Sequence, residues 1–188
     1  MGIQRITKKG IVCQRGTEFE VDLIIFATGF QIGWDALDCG YPIVGENGVE
    51  LKEKWKEGPR TLNSIHSHGF PNLFMQNGPQ GTLTVNFVQK IDEKARHAAH
   101  IISEMKKQKY TYINATKQAE DEYCDIIWRR SGRGASFKRK CTPGYYNREG
   151  KPGKKKTLNS DFNVPNKYFG MLDELRAEGK HFEGFVVS

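Results

Sequence analysis

The sequence has no apolar run long enough to cross a membrane. Its longest uninterrupted apolar stretch, Leu23 to Ala27, is about five residues long, whereas a transmembrane helix needs about 20. The first ten residues, MGIQRITKKG, contain no apolar core of signal-peptide length, and Ile6 stands where a myristoylation motif requires Ser or Thr. We therefore expect a soluble, cytoplasmic protein.

Cysteine is scarce and widely spaced. The 188 residues contain four cysteines, with no C-x-x-C pair and no metal-ligand spacing. We expect reduced, structural thiols. His66 and His68 are two residues apart without a third ligand nearby, so a pair of satisfied loop histidines is favoured over a metal site.

Basic residues outnumber acidic ones, and the formal net charge is +7. Much of the excess lies in two Gly-rich stretches, Arg129 to Lys140 and Lys151 to Lys156. Solvated loops and phosphate-binding loops are both consistent with this pattern, and nucleic acid is one polyanion that such loops bind.

The stretch VDLIIFATGF, from Val21 to Phe30, places an acidic residue before four apolar ones and a small Ala-Thr-Gly step. A short apolar run stopped by glycine is typical of a buried strand in an α/β sheet. Ligands bind beyond the carboxyl ends of such strands. The sequence therefore predicts a buried strand here, with a ligand site at its end.

Several further elements follow from the pattern. Residues 3 to 13 predict a β-hairpin around Lys8-Lys9-Gly10, and Gly69 to Met75 predicts a turn followed by a short apolar strand. Helices are predicted at about 84–108, 116–130 and 166–178, followed by an apolar tail at 182–187.

The first helix has one apolar face, formed by Val88, Ile91, Ala95, Ala98, Ile102 and Met105, and its N-terminus follows Gly78-Pro79. Backbone N–H groups at such an N-terminus favour an anionic ligand.

Three motifs together resemble one family. VDLIIFATGF is similar to the late signature strand of flavin-containing and Baeyer–Villiger monooxygenases. GFPNLFMQNGPQG resembles the final strand and turn of the FAD domain in Baeyer–Villiger monooxygenases, which precedes a long helix. CTPGYYN resembles their nicotinamide-cofactor loop, although Tyr145-Tyr146 stands where the family has Trp-Tyr.

The resemblance implies an α/β fold: the incomplete C-terminal part of a Rossmann-like flavoprotein that binds two dinucleotides. It would contain a β-hairpin, a few core strands, a long helix and a loop-rich C-terminal region. Residues 1–110 would belong to the FAD-binding domain, and 111–188 would form a helical region with the NADPH-contacting loop. The sequence contains no G-x-G-x-x-G motif, so the N-terminal FAD and NADPH domains would be missing and this portion alone is expected to be inactive.

An intact relative would use FAD and NADPH to insert one oxygen atom of O2 next to a ketone carbonyl, giving an ester or lactone. Two alternatives remain at this point: a non-catalytic flavoprotein remnant that pairs with another polypeptide, and a basic module that binds nucleic acid. The resemblance assigns no catalytic residue and no metal ligand to this chain.

The resemblance also implies cofactor contacts. Those to flavin would come from Ala27, Thr28, Gly29, Phe30, Gly78, Pro79, Asn86 and Phe87. Those to NADPH would come from Lys138, Tyr145 and Tyr146. Four of the flavin positions also have a local interpretation: Gly29 and Gly78 as plain turns, Asn86 as a helix cap or surface residue, and Phe87 as core.

Overall fold

The computed structural model describes residues 2–27, 41–82, 86–130, 164–177 and 179–188. These residues fall in two compact units, 1–30 and 31–188. None of the helices within the described ranges has the length and hydropathy of a membrane span.

The N-terminal unit is a three-stranded antiparallel sheet in the order β1-β2-β3. Its strands are β1 (Ile3–Ile6), β2 (Gly10–Cys13) and β3 (Glu18–Glu20). The Thr7 hydroxyl accepts a hydrogen bond from the Gly10 N–H at 3.1 Å and so closes the first turn. The predicted hairpin is confirmed, and β3 extends it into a meander.

The predicted strand after β3 does not form over its described residues, 21–27. Val21 still donates its N–H to the Lys9 carbonyl at 3.0 Å, but no strand pairing continues beyond it in the described part. Leu23, Ile25 and Phe26 are 75%, 79% and 71% exposed. The prediction of a buried strand is wrong for these residues, because a strand needs a neighbour to satisfy its backbone groups and none of the described strands supplies one.

The second unit contains a short helix α1 (Leu51–Lys54), a long helix α2 (Phe87–Gln108) and two further helices, α3 (Lys117–Arg130) and α4 (Pro165–Arg176). Its two strands, β4 (Ile113–Ala115) and β5 (Phe185–Val187), pair antiparallel. A 3-10 turn covers Glu46–Gly48. The predicted helices therefore form within a few residues of their expected bounds, but the β4-β5 pairing was not predicted.

Local chemistry explains where the helices begin and end. The Asn86 side chain accepts a hydrogen bond from the Gln89 N–H and caps α2, which ends where Lys109 adopts a left-handed φ of 60°. Pro165 occupies the first turn of α4, where its missing N–H has no cost.

The main hydrophobic core joins α3 and α4 to the loop between α1 and α2. Tyr123 and Ile127 of α3 pack with Tyr168 and Leu172 of α4 around Ile65. A second cluster surrounds Leu51, Trp55 and Phe70, and a third surrounds Ile101, Met105 and Ile113.

The buried face of α2 is rotated from the predicted one. Its buried residues are Lys94, His97, Ala98, Ile101 and Met105, whereas Val88 is 77% exposed and Ile102 is 42% exposed. On α3, Ile126 is likewise 39% exposed rather than buried. The apolar spacing predicted the helices correctly, but it could not reveal that a lysine and a histidine occupy the inner face of α2.

The predicted strand at Leu73–Met75 is also not formed, since no ladder includes these residues. The Met75 N–H donates to the Ile65 carbonyl at 2.8 Å, but a single backbone hydrogen bond of this kind does not make a strand. His66 and His68 lie in the loop before it, as predicted. His68 Nδ1 lies 2.8 Å from the Ala115 carbonyl, but His66 Nε2 is buried without a hydrogen-bond partner among the described residues, so the prediction of two satisfied rings is only partly correct.

Candidate cofactor-binding turn

The segment from Gln76 to Thr82, called here the Gly78 turn, leads toward the N-terminus of α2. Gln80 in this turn has a left-handed φ of 66°. Residues 83–85 lie outside the described residues, and Asn86 then caps the helix. The arrangement of turn and helix N-terminus agrees with the sequence prediction for this region.

Glycine is required at position 78 because two backbones pack directly together. A Cβ added to Gly78 would meet the Ser64 carbonyl oxygen at 2.2 Å, far inside normal contact. The Ser64 hydroxyl donates to the Gly78 carbonyl at 2.7 Å. Ser64 itself has a left-handed φ of 63°. The hydrogen bond between its hydroxyl and the Gly78 carbonyl therefore joins two turns with unusual backbone conformations.

Lys94 of α2 approaches this contact from the protein interior. Its ammonium donates to the Ser64 carbonyl at 2.8 Å and lies 2.9 Å from the Ser64 hydroxyl oxygen. It also reaches the carbonyls of Met75 and Gly78, each at 3.4 Å. Burial, with a smaller contribution from the charge of Lys90, lowers the pKa of Lys94 to about 7.

Gln80 anchors the other side of the turn. Its side-chain oxygen accepts hydrogen bonds from the Thr61 N–H at 2.9 Å and the Thr61 hydroxyl at 2.7 Å. Its carbonyl accepts from the Tyr123 hydroxyl at 2.7 Å. Its amide nitrogen lies 3.6 Å from Cys124 Sγ, and burial raises the pKa of that thiol. The turn is therefore held rigidly to the core.

The N-terminus of α2 is exposed. Phe87 is 48% and Val88 77% exposed, and Lys90 Nζ lies 4.7 Å from the centre of the Phe87 ring. Lys90 also contacts the Asn77 side-chain oxygen at 3.4 Å. An aromatic ring, a cation and a helix N-terminus thus share one surface, a combination suited to a flat ligand with acceptor atoms.

Two buried polar atoms of the Gly78 turn lack hydrogen-bond partners among the described residues. They are the hydroxyl oxygen of Thr82, a residue only 3% exposed, and the side-chain oxygen of Gln76. Buried polar groups are normally paired. Within the described part of the chain, both atoms therefore retain unused hydrogen-bonding capacity, which is the chemistry that a bound polar group would use at this turn.

The predicted site residues divide into three groups. Gly78, Pro79, Asn86 and Phe87 lie in the Gly78 turn or at the start of α2. Asn86 is the helix cap, and Phe87 is partly exposed rather than core. Ala27 is exposed and belongs to the N-terminal unit. Outside the described residues lie Thr28, Gly29, Phe30, Lys138, Tyr145 and Tyr146.

Sequence reasoning missed the residues that hold the turn in place. Ser64, Gln80 and Lys94 carry no motif that identifies them. The one available signal was the spacing of Lys94 relative to Ala98, Ile101 and Met105, which places a lysine in line with three apolar residues of one helix face.

Comparison with solved structures first defines the class of protein. Polycyclic ketone monooxygenase from the thermophilic fungus Thermothelomyces thermophila matches all of this chain with a TM-score of 0.81 and 28% identity, over 31% of its own length. The fold is therefore that of part of a monooxygenase. No protein-family model matches the chain.

Relatives by sequence narrow the class to a family. Baeyer-Villiger monooxygenase 4 from Dietzia is 36% identical over 98% of this chain, and pentalenolactone D synthase from Streptomyces arenae is 38% identical over 86%. The chain spans 30% and 28% of the length of these two relatives. It is homologous to a portion of the Baeyer–Villiger monooxygenases, as the motif resemblance predicted. Neither the nucleic-acid alternative nor the non-catalytic one is favoured by these relatives.

Proposed function

We propose that this chain forms the C-terminal portion of an FAD- and NADPH-dependent monooxygenase that inserts one oxygen atom of O2 next to a ketone carbonyl. The observation that carries the proposal is the Gly78 turn, which is rigidly held beside the exposed N-terminus of a 22-residue helix. Two buried polar atoms of this turn have no hydrogen-bond partner among the described residues. Homology over most of the chain supports it.

The two cofactors are part of the proposal. Among the relatives, one from Hypomyces subiculosus is named an FAD-binding monooxygenase, and a cyclohexanone monooxygenase from Rhodococcus was crystallised with NADP+. We assign residues 1–110 to the FAD-binding domain and 111–188 to the region with the NADPH-contacting loop. The ketone class of substrate and the missing N-terminal domains are likewise proposed for the intact protein.

The flavin would be held by Gly78, Pro79, Thr82 and the first turn of α2. When bound, FAD supplies the electron transfer from NADPH and the activation of O2. The residues of this chain bind and orient it. The helix N-terminus favours partial negative charge on the ligand, and the hydroxyl of Thr82, buried and unpartnered among the described residues, can donate a hydrogen bond to an acceptor atom.

The experiment begins with the coding DNA upstream of Met1. If the reading frame continues through two G-x-G-x-x-G motifs, the complete product should retain FAD on purification and consume NADPH when a ketone is added. A complete product without bound FAD, or one whose NADPH consumption does not respond to any ketone, would contradict the proposal. A reading frame that does not continue through these motifs would likewise contradict the proposal, because the chain alone is expected to be inactive.

A matched pair of variants ties the result to this site. Thr82→Val removes one buried hydroxyl and should weaken FAD binding about tenfold, the effect of one lost hydrogen bond to a buried acceptor. Thr111→Val makes the same change at an exposed position and should leave FAD binding unchanged. Equal affinities in both variants would remove Thr82 from the site.

A further inference from the structure

Lys94 donates hydrogen bonds to oxygens of two separate turns, the turn at Ser64 and the Gly78 turn, at one buried point. Its ammonium lies between 2.8 and 3.4 Å from the carbonyls of Ser64, Met75 and Gly78 and from the Ser64 hydroxyl. The side chain has no exposed surface. In the described part of the chain, no carboxylate lies within 4.0 Å of this ammonium.

Packing alone does not explain a lysine at this position. The neighbouring buried residues on the same face of α2 include Ala98, Ile101 and Met105, and an apolar side chain such as Met would fill similar space. Burying a charge without an acidic partner costs several kcal/mol in general. The Lys94 nitrogen offsets this cost by donating hydrogen bonds to oxygens of the two turns.

Both turns need such a restraint. Asn63 and Ser64 have left-handed φ values of 54° and 63°, and Gln80 has one of 66°. Residues other than glycine adopt this region only where surrounding structure holds them there. The carbonyls of Ser64 and Gly78 converge on Lys94, and a group that donates hydrogen bonds to both offsets the repulsion between their dipoles.

We propose that Lys94 is a positioning residue for the Gly78 turn: its ammonium holds the Ser64 and Gly78 carbonyls together and thereby sets the geometry of the turn that contacts the flavin. The hydrogen bonds from Lys94 to the two carbonyls concern the chain alone. The contact of the Gly78 turn with the flavin rests on the proposed function.

The first test uses NMR of the full 188-residue chain without cofactor. At pH 6, below the pKa of Lys94, its ammonium in the wild-type protein should exchange its hydrogens at least about tenfold more slowly than that of Lys106, an exposed lysine of the same helix. Its signal should also show contacts to residues 64 and 78. An ammonium that exchanges as fast as that of Lys106 would overturn the proposal without any variant.

The second test compares Lys94→Met with Ile101→Ala. Both changes weaken the buried face of α2, but Ile101 belongs to the cluster around Met105 and Ile113, which includes no residue of the Gly78 turn. Lys94→Met should shift the carbonyl carbon signals of Ser64 and Gly78, whereas Ile101→Ala should leave them in place. Unchanged carbonyl signals in folded Lys94→Met would overturn the proposal. If Lys94→Met does not fold, Lys94→Gln, which keeps one donor group, replaces it with the same expected shifts.

The third test separates the two halves of the proposal. In the complete, FAD-binding protein, Lys94→Met should weaken FAD binding about tenfold or more relative to Ile101→Ala. If the wild-type complete protein binds no FAD, the proposed function fails, while the carbonyl shifts still decide whether Lys94 holds the two turns. If FAD binds equally well to both variants, Lys94 does not position the flavin turn and this inference fails alone.

Discussion

Lys54 Nζ lies 2.7 Å from Glu120 Oε1, although the two residues are separated by 66 positions in the sequence. The Glu120 side chain is only 2% exposed. The same carboxylate oxygen accepts hydrogen bonds from the His68 N–H at 2.8 Å and the Ser67 hydroxyl at 3.1 Å. This buried ion pair therefore joins α1, the loop after it and α3.

Glu120→Gln should destabilise the chain strongly. The substitution leaves the Lys54 ammonium largely buried without its carboxylate, and breaking a buried pair in this way costs about 3–5 kcal/mol. The free energy of unfolding, measured by urea denaturation, should fall by that amount. Glu53→Gln is the matched control because Glu53 pairs with Lys56 on the surface, and its unfolding midpoint should not change measurably. Similar midpoints for the two variants would contradict the role of Glu120.

Gly78→Ala should destabilise the fold because the added methyl group would collide with the Ser64 carbonyl oxygen. Overpacking of this kind costs about 1–3 kcal/mol. Gly170→Ala makes the same change inside α4, where a Cβ would meet nothing within 4 Å, and should stabilise the chain by about 0.5–1 kcal/mol. Thermal unfolding of both variants should shift in opposite directions. A Gly78→Ala variant as stable as the wild type would show that the two backbones can separate.

Lys94 should make stability depend on pH in the basic range. Its folded-state pKa is lowered from 10.5 to about 7, so between these values the unfolded chain binds more protons than the folded one. The free energy of unfolding contributed by Lys94 should thus be lowest below about pH 7 and should increase toward pH 10.5, by up to about 1.4 kcal/mol per pH unit.

The pH effect is measured as the difference in unfolding free energy between the wild type and Lys94→Met at pH 6, 7.5 and 9. Lys90 and His66 are the charged or titratable groups whose charges couple to Lys94. Burial lowers the pKa of His66 to about 3, so its ring does not titrate in this range. A difference that stays constant from pH 6 to 9 would show that Lys94 titrates near its ordinary value.

Tyr168→Phe should cost about 1–3 kcal/mol, because it leaves the Asn63 carbonyl without the hydroxyl that donates to it at 2.9 Å. Tyr168 is fully buried, and burial raises the pKa of its hydroxyl, which stays protonated. Urea denaturation checks the change. Tyr112→Phe serves as a comparison because Tyr112 donates to the exposed Glu46 and should have a smaller effect. Equal losses would mean that the left-handed turn at Asn63 and Ser64 does not depend on Tyr168.

The sequence by itself determined the long helices, the first hairpin and the family. Hydrophobic spacing of three and four residues predicted α2, α3 and α4, and Lys8-Lys9-Gly10 predicted the first hairpin. These signals are local, because each depends on residues close together in the chain. The motifs VDLIIFATGF and GFPNLFMQNGPQG pointed to the monooxygenases because each is contiguous in the chain, and the relatives confirmed that assignment.

Only the tertiary structure decided which polar residues are buried and which turns touch. From the sequence alone, Lys94 is expected at the surface. In the structure it is buried, and its ammonium contacts oxygens of Ser64, Met75 and Gly78, which are 16 to 30 residues away in the sequence. The pairing of β4 with β5 joins segments about 70 residues apart and leaves no trace in local spacing. The residues at 21–27 show the opposite case: their apolar pattern favours a buried strand, but a strand forms only where another strand pairs with it.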